Sequence, residues 1–337
     1  MAARLSPHPG DLTITAMRRS VHPGIALMFA SAVAWRVTAA QQPPSARQAD
    51  APRLSDDQTG AYRIALNVDL VVLPVTVLDK TGGYAANLRQ ADFRVYEDGV
   101  LQSIRLFSHE DVPVTVGLVI DHSGSMKNKM PDVVSGARVF ARASNPADQM
   151  FVVNFSEKVS GGLPDSLPFT NRTDELEAAI GVLPAQGETA LYDAIGVALD
   201  RLKSGDRARK VLIVISDGGD NASSLTLPAI LKKAVESNAA IYTVGIFEPE
   251  DADQNPGVLR QLARTTGGQA FFPAELRDVV TTCESIANDI RHQYTLGYVS
   301  ANSSAVGGYR AVRVVAHAAG RSLVARTRAG YLAGDGR

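Results

Sequence analysis

Residues 114–121, VTVGLVID, are apolar at nearly every position, and so are most of 149–155, 210–216 and 240–247. A strand that is apolar at consecutive positions presents both faces to a core, so it must lie in a sheet covered on both sides. Between these runs, segments of helical periodicity occur at about 130–143, 173–182, 190–203, 227–237, 257–265 and 276–291, with one further short strand at 269–272. Thr173 followed by Asp174, Glu175 and Glu177 marks one helix start, and Pro228 another. Strand–helix alternation of this kind predicts an α/β unit over 113–291, with a mostly parallel central sheet and helices on both faces.

The flanks have a different pattern. Residues 61–112 contain the alternating run ALNVDLVVLPVTVLDK and two short strands about the Asp98-Gly99 turn, and 292–337 contain three β segments, QYTLGYV, YRAVRVVAH and SLVARTRAGY. Neither flank is large enough to bury a good core alone. They are therefore expected to pair as a small β-sandwich into which the α/β unit is inserted.

The first forty residues carry Arg18 and Arg19, an apolar stretch from Gly24 to Trp35, and small residues at Thr38, Ala39 and Ala40, the pattern of a cleaved export signal, with translation able to start at Met17. That stretch is shorter than the roughly twenty residues needed to span a bilayer, and no later run is long and apolar enough. Residues 41–60 lack periodicity and read as a tether. The expected location is the periplasm, the cell envelope or the exterior.

The formal net charge is −1 and the basic residues are scattered, which argues against nucleic acid as a partner. The single cysteine, Cys283, cannot form an internal disulfide, and its place in the stripe Val279, Val280, Cys283, Ile286, Ala287 and Ile290 marks it as a buried thiol. The sequence sets no oligomeric state.

Chemistry concentrates where the first central strand ends, in IDHSGSM. Ligands of open α/β sheets bind beyond the carboxyl ends of the strands. Asp121 ends its strand, and Ser123 and Ser125 follow, able to face one way if the loop is locally extended and Gly124 lets it bend. ISDGGDN places Asp217 and Gly218 at a second strand end, and AQGETALYDAI places Thr189 in a loop before a helix. Two carboxylates and three hydroxyls suit a hard divalent cation, Mg²⁺ first, with Mn²⁺ or Ca²⁺ as alternatives. Asp193 reads as a first-turn helix acid, with a hydrogen bond toward this site as a secondary reading.

Asp-x-Ser-x-Ser, then the threonine and the strand-end aspartate, resemble the metal-ion-dependent adhesion site of von Willebrand factor type A domains, whose fold is Rossmann-like. The resemblance implies direct metal ligation by Ser123 and Ser125. Thr189 would ligate directly or through water, and Asp121 and Asp217 mainly through bridging waters. It implies that a partner protein's exposed Glu or Asp completes the shell, and that coordination can be coupled to movement of the 276–291 helix. The flanking segments VDLVVLPVTVLDKTGG, DFRVYEDGVLQSI and YTLGYV resemble the bacterial VWFA-related acidobacterial-type group. The expected function is metal-dependent protein binding; the alternative is a structural or envelope-assembly module whose metal only stabilises the fold.

Enzymatic readings find less support. A haloacid-dehalogenase-type phosphotransferase wants a second aspartate where Ser123 stands. No G-x-S-x-G elbow or strand-following G-x-G-x-x-G occurs. His109, His292 and His317 are isolated, and His122 adjoins Ser123 in sequence, which points it elsewhere. Asp251, Asp253 and Asn255 have calcium-loop spacing, but Pro256 and Leu262 break the pattern, leaving an acidic loop on the same rim.

Overall fold

The computed structural model describes residues 70–181, 183–248, 253–302, 308–318 and 322–334. The expected export signal and tether, residues 1–60, lie outside the described residues. Among the described residues, no helix is long and apolar enough to cross a membrane.

The α/β unit holds a six-stranded sheet of β5 (Val114–Asp121), β6 (Gln149–Phe155), β7 (Val159–Gly161), β8 (Arg209–Ser216), β9 (Ala240–Gly245) and β10 (Ala270–Phe271), in the order β10-β9-β8-β5-β6-β7. All pairings are parallel except β6 with β7. β7 was not expected from sequence: its three residues carry too little alternation to mark a strand. β5 is buried at every position, as its almost wholly apolar run leads one to expect. Its cover comes from two groups of helices. α1 (Met130–Ala143) packs against α2 (Thr173–Ile180) and α6 (Asp278–Arg291), while α4 (Leu227–Ser237) packs between α3 (Leu191–Leu202) and α5 (Pro256–Thr266).

Cys283 is buried on α6 against α1, where a Cβ on Gly136 would stand 2.9 Å from its Sγ. Burial pushes the thiol pKa up to about 12. The folded protein should therefore leave Cys283 unmodified by a thiol reagent at pH 8, and denaturant should release one reactive thiol per chain. Rapid labelling of the folded chain would contradict this packing.

The remaining strands are β1 (Leu70–Asp79), β2 (Phe93–Glu97), β3 (Val100–Gln102), β4 (Ile104–Ser108), β11 (Tyr294–Val299), β12 (Tyr309–Ala316), β13 (Leu323–Arg326) and β14 (Gly330–Leu332). They form two four-stranded sheets, β13-β1-β11-β4 and β14-β12-β2-β3, each mixing strands from both flanks. Leu73, Val75, Phe93, Val95, Tyr294, Leu296 and Val314 share one core between them. The α/β unit leaves β4 and returns into β11, and these are antiparallel neighbours with Ser108 opposite Thr295. The insertion thus needs no separation of the two chain ends it grows from.

Two expectations about the flanks are corrected. The region after residue 92 holds three strands, because the chain turns again at Ser103 after β3. SLVARTRAGY is two strands rather than one: β13 pairs with β1 and β14 with β12, so the segment passes from one sheet to the other at 327–329.

A buried polar seam joins α6 to the sandwich. Asp289 accepts a hydrogen bond from Tyr242 Oη at 2.5 Å and is paired with Arg326 of β13. Gln293 Nε2 donates to the same Tyr242 Oη at 2.9 Å.

Candidate metal centre

Parallel pairing of β5 with β8 brings both strand-end acids to one edge of the sheet, because Ile120 lies opposite Ile215 and the chains run in the same direction. Asp121, Ser123, Thr189 and Asp217 are all buried, and Ser125 is half-buried. Ser123 Oγ lies 3.2 Å from Ser125 Oγ, and Ser125 Oγ donates to Asp217 Oδ2 at 2.5 Å. Asp121 Oδ1 accepts from the Ser123 N–H at 2.8 Å.

The serines converge by a route other than an extended loop. Ser123 is extended at φ −64°, ψ 167°, but Gly124–Met126 then form a 3₁₀ turn. The Met126 N–H donates to the Ser123 carbonyl at 3.0 Å, folding Ser125 back beside Ser123. Gly124 is not required for an unusual φ; its N–H instead donates to Gly187 O at 3.1 Å, docking the 187–190 loop.

That contact brings the Thr189 loop to the site. The Thr189 N–H donates to Asn221 Oδ1 at 2.8 Å, and its carbonyl accepts from the Asn221 and Ala222 N–H groups, both at 3.0 Å. Gly218 has φ +83°, and a Cβ there would fall 2.5 Å from the Asn255 carbonyl, so the turn after Asp217 admits only glycine. Asp193 goes elsewhere: its carboxylate accepts from Ser224 N at 2.8 Å and Leu225 N at 2.9 Å, anchoring the 220–225 loop. His122 Nε2 lies 3.1 Å from Asn154 Oδ1, away from the serine hydroxyls.

Sequence reasoning missed two positioning residues. Ser216 Oγ donates to Asp121 Oδ2 at 2.6 Å and accepts from the Gly218 N–H at 3.0 Å. Asn221 ties Thr189 to the rim and also reaches Asp253 at 3.3 Å. Ser216, directly before a strand-end aspartate, carried a readable signal; Asn221, in a loop, carried none. Of the calcium-spaced acidic loop, residues 249–252 lie outside the described residues; Asn255 donates its N–H to the Asp217 carbonyl at 3.0 Å and caps α5 through its side chain.

The electrostatics are unbalanced. Burial pushes the Asp121 carboxyl up to about 6, and the charge of Asp217 adds to the rise, outweighing the hydrogen bonds from Ser216 and Ser123. The hydrogen-bond partners of both carboxylates are hydroxyls and backbone N–H groups, with no cationic side chain among them. Among the described residues, no group of three or more His, Cys, Asp and Glu gathers as a metal cluster, so this donor set is rich in hydroxyls and poor in carboxylates.

Residues 116–219, which span β5 through the turn after β8, match the family model for the von Willebrand factor type A domain. Over these residues the α/β unit is similar to the von Willebrand factor type A domain. Solved structures similar to the chain include a von Willebrand factor type A protein from Catenulispora acidiphila (15% identity, TM-score 0.49, covering 75% of this chain and 77% of that one). BatB, a conserved hypothetical protein from Bacteroides thetaiotaomicron, is 16% identical with a TM-score of 0.44, covering 52% of this chain and 97% of that one. The vWF domain of the type V pilus tip protein Mfa5 from Porphyromonas gingivalis is 16% identical with a TM-score of 0.45, covering 53% and 95%. No curated protein matches the chain.

Proposed function

We propose that the type A domain binds a divalent cation, Mg²⁺ first and Mn²⁺ or Ca²⁺ as alternatives, through Ser123, Ser125, Thr189, Asp121 and Asp217. The observation that carries this reading is the pair of buried carboxylates with no cationic partner, set beside two hydroxyls 3.2 Å apart. A buried charge is expected to be paired or to coordinate a metal. Hard oxygen donors on a rigid strand-end scaffold favour a hard cation. The cation would supply an open coordination position for an acidic side chain of a partner protein.

The function that follows is non-enzymatic, metal-dependent capture of a protein bearing an exposed Glu or Asp, by a protein exported to the periplasm, envelope or exterior. Export rests on the sequence of the first forty residues. The flanking β segments, which pair into one sandwich, keep the resemblance to the VWFA-related acidobacterial-type group as the reading of the chain past residue 60.

The test is capture from envelope extract with Mg²⁺ and with chelator, using the wild-type protein and the Ser123→Ala, Ser125→Ala double variant. The expected result is chelator-sensitive capture, reduced at least about tenfold in the variant. If Mg²⁺ still raises wild-type stability while capture is the same with or without it, the cation serves the fold alone and the structural alternative stands.

A further inference from the structure

Where α5 and β10 face β13, a groove of 940 Å³ opens between the α/β unit and the sandwich. Arg264, Ala270 and Phe272 line one side of it, and Val324 and Ala325 the other. Arg326 ties the two sides together, donating to Gln269 Oε1 while paired with Asp289.

β13 is an edge strand. Among the described residues its one strand neighbour is β1, and no other hydrogen bond reaches the backbone of 323–326. An antiparallel edge strand leaves alternate N–H and C=O groups unpaired, a template on which a further strand can form. Val324 on this edge is 62% exposed, the most exposed of the large apolar side chains among the described residues.

Five arginines line the groove, and no Asp or Glu does. Three of the five are committed. Arg326 pairs with Asp289, Arg328 donates to Asn238 and to the Val72 carbonyl, and Arg313 rests on Tyr96 with its guanidinium 4.6 Å from the ring centre. Arg260 and Arg264 remain, both exposed, and among the described residues neither forms an ion pair or a side-chain hydrogen bond. The Arg260 guanidinium is held 4.4 Å from the ring centre of Phe272, and a stacked guanidinium keeps its in-plane N–H groups available to a carboxylate.

Four residues apart on α5, Arg260 and Arg264 share one face and stand about 6 Å apart along the helix axis. Alternate residues of an extended strand lie about 6.6 Å apart on one side. The spacing therefore suits two acidic side chains with one residue between them. A small anion would leave the strand edge and Val324 uncovered, whereas a peptide strand covers both.

We propose that the groove takes an extended acidic segment of a partner protein, of the pattern acid-x-acid, with its backbone paired to the free edge of β13 and its carboxylates on Arg260 and Arg264. The contact requires no metal and so stands apart from the capture proposed at the cation site.

Fluorescence anisotropy with the full chain in chelator tests this, using the labelled peptide Thr-Val-Glu-Val-Glu-Val-Thr, its counterpart with Gln for both Glu, and the isomer with the two Glu adjacent. The first should bind at least about tenfold more tightly than either control, and Arg260→Gln and Arg264→Gln should each weaken it about fivefold or more, as the loss of a charge-assisted hydrogen bond requires. Both arginines are exposed, so neither substitution threatens the fold. Hydrogen exchange should show new protection at 323–326 in the bound state. Equal binding of the Gln peptide, affinity unchanged in both variants, no protection at 323–326, or no binding of any peptide would each overturn the proposal. Equally tight binding of an oligonucleotide of like charge would mark a general polyanion surface and overturn it as well.

Discussion

In chelator at pH 7.5, the Asp121→Asn protein is expected to be more stable than the wild type by about 1–3 kcal/mol, and in millimolar Mg²⁺ the order should reverse. Raising the carboxyl from its ordinary 3.8 to about 6 corresponds to roughly 3 kcal/mol of unfavourable ionisation at neutral pH. Asparagine removes that charge, keeps an acceptor for the Ser123 N–H, and can donate to Ser216 Oγ, which also accepts from Gly218. A bound cation offsets the same charge in the wild type, and the amide variant would forgo that gain.

The pH dependence follows from the direction of the shift. Because the folded carboxyl holds its proton to a higher pH than the unfolded one, cation-free stability falls as pH rises from about 4 through 6. Cation binding requires the ionised form, so the Mg²⁺ increment in Tm should be large at pH 7.5 and small at pH 5. Unfolding curves at both values, with and without Mg²⁺, decide the matter. An increment independent of pH, or of Asp121, would remove this carboxylate from the site.

The second large effect is expected in the sandwich. Glu97→Ala should lower stability by about 3–5 kcal/mol, because it breaks a buried charge pair from one side. Glu97 on β2 accepts hydrogen bonds from Ser300 Oγ at 2.5 Å, Tyr298 Oη at 2.7 Å, and Tyr331 Oη and Arg310 Nη1 at 2.8 Å each. Its side chain is fully buried and that of Arg310 nearly so. Alanine leaves two tyrosine hydroxyls without this acceptor and a guanidinium without its carboxylate.

Burial by itself would raise the Glu97 carboxyl, but the four hydrogen bonds together hold it below the usual carboxylate range. Its contribution is therefore present above the unfolded pKa and is lost as pH falls through the lowered folded value. Urea unfolding of Glu97→Ala and Glu97→Gln measures the effect, with the glutamine variant expected to lose less. A loss under about 1 kcal/mol for alanine would show that the network contributes little to stability.

Glu97 also shows where sequence reading stops. In YEDGV it stands beside the Asp98-Gly99 turn, which was legible, and nothing local distinguishes it from a solvated strand residue. Its partners lie more than 200 positions away, on β11, β12 and β14. By contrast, Asp121 and Asp217 were legible as a pair because each ends an apolar strand, and parallel strands bring equivalent ends together.

The sequence by itself determined the layer architecture, since strands apolar on both faces demand cover on both faces, and it determined which strand ends carry oxygen donors. Periodicity of two or of 3.6 is a local property and survives without knowledge of contacts. Tertiary structure alone decided that Gly124–Met126 close as a 3₁₀ turn, that 322–331 divides between two sheets, that Asp193 serves a loop instead of the site, and which buried charges find a counter-charge. Those outcomes depend on the free energy of burying particular groups against particular distant partners, which no stretch of sequence encodes locally.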